Sequence, residues 1–220
     1  MKLYDYTYDN LIADLKAETP VSLSRHGDGE WACILGKDGG NCDGHRYFPE
    51  MGEALRRVLE RRGAYYKGMQ PKAIEDMGFE IDSWLDIHLL DQLWCNADII
   101  HNASIESKLK QLTNTIRGRK VVLVGAPHLA PLAKIHSWTH IETPPKNAWL
   151  AYEYIKGQCL EEGGDVVMFS CGMMANVLID DLWHLYGDKC CFIDTGSVFD
   201  PMVGVATRRY HRGIIKREKK

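Results

Sequence analysis

Residues 21–31 read Val-Ser-Leu-Ser-Arg-His-Gly-Asp-Gly-Glu-Trp, a short β-rich run that gives way to glycines and carboxylates. Val21–Ser24 predicts a strand. In open α/β sheets, ligands bind just beyond the carboxyl ends of strands, where connecting loops converge. Further β-rich runs lie at Ala64–Lys67, Asp98–His101, Lys120–Val124, His140–Thr143, Val166–Ser170 and Cys190–Asp194. They alternate with helix-like stretches at Tyr8–Leu15, Pro49–Arg61, Ser83–Leu93, Ser104–Arg117, Ala148–Glu161 and Ala175–Tyr186. In Pro49–Arg61, Met51, Leu55, Val58 and Leu59 mark one face and the arginines the other. The alternation predicts an α/β fold with a mainly parallel sheet flanked by helices. Four of the strands end in small, polar or acidic residues, at Arg25–Glu30, Gly125–His128, Ser170–Gly172 and Asp194–Asp200. One shared cleft is therefore expected.

The 220 residues fit a single domain, expected over 1–213, followed by a basic tail over 214–220. A net charge of −3 is too near neutral to imply a polyanionic partner, so no nucleic acid is expected. No apolar run approaches the ~18 residues of a membrane span, and the Met-Lys-Leu-Tyr-Asp-Tyr start has no signal-peptide core. The seven cysteines are odd in number, form no Cys-x-x-Cys pair, and sit in apolar runs such as Cys190-Cys191-Phe192-Ile193. Reduced thiols in a cytoplasmic protein are expected. Nothing in the sequence fixes an oligomeric state.

Asp28-Gly29-Glu30 carries the most chemistry. Two carboxylates two residues apart can turn toward one point if the chain is extended there. The glycines at 27 and 29 remove bulk, so a phosphate can approach the backbone closely. Hard carboxylate oxygens suit Mg²⁺ or Mn²⁺ bridging to a diphosphate. On the residues alone, the loop fits a helix N-terminus equally well, where acidic residues are favoured. Arg25 has two readings as well: it neutralises a phosphate, or it pairs with Asp28 and holds the loop.

The segment from Val21 to Trp31 resembles the signature of the GT-D-type glycosyltransferases, a family long known as a domain of unknown function. That family carries an Asp-x-Glu motif in an Arg-x-Gly-Asp-Gly-Glu context. The similarity continues through Val121–His128, Pro144–Asn147 and Ile193–Pro201, and so spans most of the chain. The first motif is fairly specific and the later ones weaker. The resemblance implies a Rossmann-like (GT-D-like) fold, a nucleotide-diphosphate sugar as donor, and a divalent metal served by Asp28 and Glu30. His26 departs from the apolar or aromatic residue expected there, which bears on donor choice.

Within that reading, Gly125 and His128 cradle the nucleotide, or simply form a strand-to-helix turn. Asp200 and Asp194, at the mouth of the last strand, are the candidate bases for an acceptor hydroxyl, with His211 next. Their plain readings are a residue before Pro201 and a turn cap. Arg208 and Arg209 open a basic segment able to grip donor phosphates, an acidic acceptor or an anionic membrane surface. Beyond Gly213 that segment is expected to fray. The acceptor would be a glycan, glycoprotein or lipid-linked hydroxyl. The rival readings are a metal-dependent phosphohydrolase or nucleotidyltransferase, and a non-catalytic nucleotide-sugar-binding protein.

Other motifs fall away. Asp194-Thr-Gly-Ser197 matches an aspartic-protease tetrapeptide, but that chemistry needs two such loops on an antiparallel scaffold. Gly39-x-Asn41-x-Asp43-Gly44 followed by Glu50 approximates an EF-hand loop, with Gly at the first ligand position and Pro49 before the closing Glu. A surface loop near the cleft mouth is the expectation. His136 and His140 have metal-ligand spacing without an intervening Glu, so partial burial beside Trp138 is expected. No Walker A, complete Gly-x-Gly-x-x-Gly or Gly-x-Ser-x-Gly sequence is present.

Overall fold

In the computed structural model, which describes residues 3–41, 44–61, 63–88 and 92–218, five consecutive buried residues form the strand Val121–Gly125. Val121 and Leu123 pack into one apolar cluster and Val122 and Val124 into another on the opposite face. Successive side chains of a strand point to opposite faces, so an unbroken apolar run marks a strand covered on both sides. The strands are β1 Ser22–His26, β2 Tyr66–Met69, β3 Leu93–Asn96, β4 Val121–Gly125, β5 Thr139–Glu142, β6 Val166–Ser170 and β7 Cys191–Asp194. Their order is β3-β2-β1-β7-β6-β4-β5. Every neighbouring pair is parallel. The expected α/β fold with a parallel sheet flanked by helices is what forms.

The helices are α1 Tyr8–Lys16, α2 Asp28–Ile34, α3 Pro49–Glu60, α4 Pro71–Ile87, α5 Ile99–Ile105, α6 Leu109–Thr115, α7 Ala130–His136, α8 Tyr152–Glu162, α9 Met174–Tyr186 and α10 His211–Glu218. Helices α1, α5, α6 and α7 cover one face; α2, α3, α4, α8 and α9 cover the other. Helix α3 shows why: Met51, Leu55, Val58 and Leu59 are each at most 2% exposed. Fully burying one such side chain stabilises by roughly 1.5–3 kcal/mol, so this face holds the helix in place. Among the described residues, no helix is long and apolar enough to cross a membrane. The six described cysteines are free thiols.

Three expectations are corrected. The third strand is Leu93–Asn96, not Asp98–His101, so Leu93, expected to close the preceding helix, opens a strand; that helix is described to Ile87, and residues 89–91 lie outside the described residues. Asn96 Oδ1 accepts the Asp98 N–H at 2.8 Å and turns the chain out of the strand. Ile99, Ile100, Ala103 and Ser104 are then buried at helical spacing. The stretch expected as one helix from Ser104 is two, divided near Ser107, whose φ of 61° no helix accommodates. Finally, the chain past Gly213 is helical as far as Glu218, with Ile214 buried and Arg217 Nη2 donating to Ile105 O at 2.6 Å.

Candidate functional site

β1 ends at His26, and Gly27 caps α2, so Asp28 and Glu30 are the first and third residues of a helix. Of the two backbone readings, the helix N-terminus is the one that forms. Glu30 folds back and its Oε2 accepts the Gly27 N–H at 2.9 Å, while Asp28 stays exposed with Oδ1 on the Gly29 N–H. On a helix, residues two apart point in different directions, so the two carboxylates diverge. A Cβ at Gly27 would lie 2.7 Å from Gln70 Oε1, the mobile end of a side chain that would have to swing aside.

The acid facing Glu30 electrostatically is Asp194, delivered by β7. β1 and β7 pair only through Ser22↔Phe192 and Leu23↔Ile193. Beyond that point Asn176 of α9 takes over, accepting the Arg25 N–H at 2.9 Å and donating to Arg25 O at 2.7 Å. The gap leaves room for the Arg25 guanidinium, whose Nε donates to Ala97 O at 3.1 Å. Gly196 (φ 52°) has no Cβ to obstruct it: one would lie 2.2 Å from Arg25 Nη1. Asp194 is buried, accepts the Gly196 N–H at 2.8 Å, and is pushed up to about 6 by burial, with Arg25 opposing the shift. Glu30 retains some surface toward the cavity although protein surrounds it on most sides. Burial raises it to about 7; the Asp194 charge adds to the rise and Arg25 works against it. Arg25 thus lies within electrostatic reach of two carboxylates, Glu30 and Asp194.

These groups line a cavity of about 430 Å³ together with Gln70, Lys72, His101, Arg208, Arg209 and Tyr210. A second cavity of about 330 Å³ adjoins it, lined by His45, His128, Thr143, Ser170, Asp200 and Thr207 among others. Gly172, Gly196, Ser197 and Arg208 line both. The four expected loops do converge, but on two joined chambers. Asp28, Glu30, Arg25, Gly27, Gly29, Asp194 and Arg209 share the first; His128 and Asp200 share the second. Asp200 is 3% exposed, and His128 Nε2 lies 2.8 Å from its Oδ1. The Thr207 hydroxyl donates to its other oxygen.

Gly125 lines neither chamber. A Cβ there would meet Leu129 Cδ1 at 2.7 Å and Ser170 Cβ at 3.1 Å, so its missing side chain serves packing. Asn41 does reach the first chamber, whereas Asp43 of the EF-hand-like stretch lies outside the described residues. His136 stacks on Trp138 with ring centroids 4.6 Å apart, and His140 Nε2 sits 3.1 Å from Gly125 O. Both histidines are spent locally. Sequence reasoning missed Gln70, Lys72, His101, Tyr210 and His45. Gln70-Pro71-Lys72 carried the signal used elsewhere, a polar turn after a strand; His101 was hidden by the misplaced third strand.

His26 is fully buried, its ring edge-on to Trp94 at 5.5 Å, and neither ring nitrogen has a partner among the described residues. It faces the core and lines neither chamber. Burial lowers it to about 3, and the Lys67 charge adds to the shift. The folded value lies below the unfolded 6.5, so the unfolded chain takes up a proton first as pH falls. Stability should therefore drop between pH 6.5 and 3. His26→Phe is expected to remove about 2 kcal/mol of the loss between pH 8 and pH 5. Urea unfolding at both pH values checks it; an unchanged pH slope would mean His26 takes up its proton as readily folded as unfolded.

No family model matches the chain, and no curated protein matches it by sequence. Solved structures do match its fold. A selenomethionine-substituted structure of domain of unknown function 1792 has a TM-score of 0.67 at 17% identity, over 88% of this chain and 78% of that one. A second structure of that domain, described as highly conserved with a distinct glycosyltransferase fold, has a TM-score of 0.64 at 17% identity and the same coverage. A third, described as a new glycosyltransferase from Streptococcus sanguinis, has a TM-score of 0.62 at 18% identity, over 86% and 80%. The chain has the fold of domain of unknown function 1792, described as a distinct glycosyltransferase fold.

Proposed function

We propose that this chain is a glycosyltransferase that moves a sugar from a nucleotide-diphosphate donor to an acceptor hydroxyl. The observation that carries the reading is the first chamber. At the carboxyl ends of a parallel sheet it gathers carboxylates (Asp28, Glu30, Asp194) and cations (Arg25, Lys72, Arg208, Arg209) around one space. A diphosphate needs the cations; a divalent metal needs the carboxylates.

Among the described residues no three His, Cys, Asp or Glu side chains are already clustered to hold a metal. The donor set still fits Mg²⁺ or Mn²⁺. Such ions are commonly held by one or two carboxylates, with substrate phosphates and water filling the shell. Glu30 and Asp194 form a carboxylate pair served by one arginine, short of positive charge. Glu30, with Asp194, would hold the ion, which when bound would offset charge on the leaving diphosphate. Arg25, Arg208 and Arg209 would grip phosphate oxygens through charge-assisted hydrogen bonds, and Gly27 and Gly29 keep the backbone accessible.

Thermal shift with a panel of nucleotide sugars, with and without Mn²⁺, tests the reading, because a ligand that binds the fold raises its apparent stability. A transferase releases nucleoside diphosphate when acceptor is present. Phosphate or nucleoside monophosphate released without acceptor would make the chain a phosphohydrolase or nucleotidyltransferase, and no release at all would make it a binder.

Arg209→Ala is expected to weaken UDP or GDP binding by about tenfold, the loss of one charge-assisted hydrogen bond. Lys216→Ala, on the exposed side of α10, should change it less than about twofold. Equal losses in calorimetric titration would mean the basic segment acts as a diffuse field.

A further inference from the structure

We infer that the second chamber is the acceptor site, that it takes an uncharged saccharide hydroxyl, and that His128 is the base that removes its proton. The inference rests on the glycosyltransferase reading above. The two chambers differ in chemistry. The first is lined by four arginines and lysines. The second has one, Arg208, at the wall it shares with the first. The rest of it is hydroxyls, imidazoles, small residues, the Pro144-Pro145 pair and one carboxylate, Asp200, whose oxygens are taken up by His128 and Thr207. That lining suits a neutral polyol better than a phosphate.

The seam between the chambers is low. Of the four residues that line both chambers, Gly172 and Gly196 carry no side chains and Ser197 a short one; Arg208 is the fourth. An anomeric carbon placed there would have its diphosphate among the cations on one side and open space toward His128 on the other.

Asp200 was the expected base, but its surroundings give it another part. It is nearly fully buried, with one oxygen on His128 Nε2 at 2.8 Å and the other taking the Thr207 hydroxyl. Both oxygens are spent inside the protein. A carboxylate on Nε2 holds the proton there, which leaves Nδ1 as the ring's lone-pair nitrogen. The His128 side chain is 31% exposed and lines the chamber. Asp194 lines the first chamber and not the second, with its Oδ1 taking the Gly196 N–H at 2.8 Å; His211 is fully buried, and its Nδ1 takes the Arg208 N–H at 3.3 Å. His128 is therefore the catalytic residue and Asp200 a positioning residue.

In the step, the acceptor hydroxyl gives its proton to His128 as its oxygen bonds to the anomeric carbon. The bond from that carbon to the diphosphate oxygen breaks, and the nucleoside diphosphate leaves with the electron pair. The imidazolium then releases its proton to solvent. Attack from the face opposite the leaving group inverts the anomeric centre.

Three histidines report on the two chambers: His101 on the first, His45 and His128 on the second. In the full chain labelled with ¹⁵N-histidine, UDP should shift His101. Methyl β-glucoside and methyl β-galactoside should shift His45 and His128 and leave His101 in place. Asp200→Asn should abolish the Nε2–H tautomer signature of His128. In assays with Mn²⁺, the nucleotide-sugar panel and these glycosides, His128→Gln should lower kcat by on the order of 10²–10⁴-fold. Its UDP affinity should stay within about twofold, because a base acts in the transition state. Glycosides that shift His101 alone or no histidine, wild-type turnover in His128→Gln, or a retained anomeric configuration would each overturn the inference while UDP binding upholds the donor site. Absence of UDP binding would remove the glycosyltransferase reading and this inference with it.

Discussion

Glu30→Gln should fold as the wild type does and lose metal-dependent donor binding, with turnover down by on the order of 10²–10³-fold. The amide oxygen of Gln can still accept the Gly27 N–H that Glu30 Oε2 accepts at 2.9 Å, so the start of α2 keeps its cap. Only the charge is lost. Burial, with the Asp194 charge adding to it, disfavours the charged form of Glu30, so neutralising it should leave stability unchanged or raise it. Asp28→Asn, on the exposed side, should cost less than Glu30→Gln. Thermal melting and titration with a nucleotide sugar in Mn²⁺ separate the two effects. Wild-type donor affinity in Glu30→Gln would reduce the side chain to a helix cap and remove the metal from the proposal.

The chemistry of this region is legible in the sequence; its geometry is not. Strands β4 and β6 are readable because a strand buried on both faces must be apolar throughout, and Val121–Val124 and Val166–Phe169 are. Asp28 and Glu30 stand out for the same local reason, glycines beside carboxylates. What the linear pattern does not carry is that α2 turns Glu30 inward and Asp28 out. Nor does it show that β7 sets Asp194 within electrostatic reach of Glu30 and Arg25. His128 and Asp200 are each identifiable as site residues, but their contact depends on β4 and β7 ending at the same edge of one sheet. The third strand fails for a local reason. Ile99-Ile100 is short enough to be read with period two, and only the helical spacing to Ala103 and the Asn96 turn decide otherwise.

The largest loss of stability is expected from one methyl group placed at Gly52. A Cβ there would lie 2.6 Å from the carbonyl oxygen of Cys33 and 3.3 Å from its carbon. Both are backbone atoms of α2, so no rotamer change relieves the clash and the two helices must part. The contact they share is apolar, with Trp31, Cys33 and Ile34 of α2 in one cluster with Met51 and Leu55 of α3. Ala is a better helix former than Gly by about 0.8–1.0 kcal/mol, which opposes the clash. Overpacking a tight core typically costs about 1–3 kcal/mol and sometimes more; with immovable backbone the upper end applies, so Gly52→Ala should destabilise by about 2 kcal/mol net. Gly157 on α8 is the control: it is exposed, and an added Cβ meets nothing within 4 Å. There the same substitution should stabilise by about 0.5–1 kcal/mol. The functional consequence follows from what α2 carries. Gly52 lines neither chamber, yet moving α2 displaces Glu30 relative to Asp194 and Arg25, so nucleotide-sugar affinity should fall with stability. Urea midpoints and donor titration measure both. Destabilisation with unchanged donor affinity would show that Glu30 is positioned by β1 and Gly27 alone, and that the packing of α3 on α2 serves the fold and not the site.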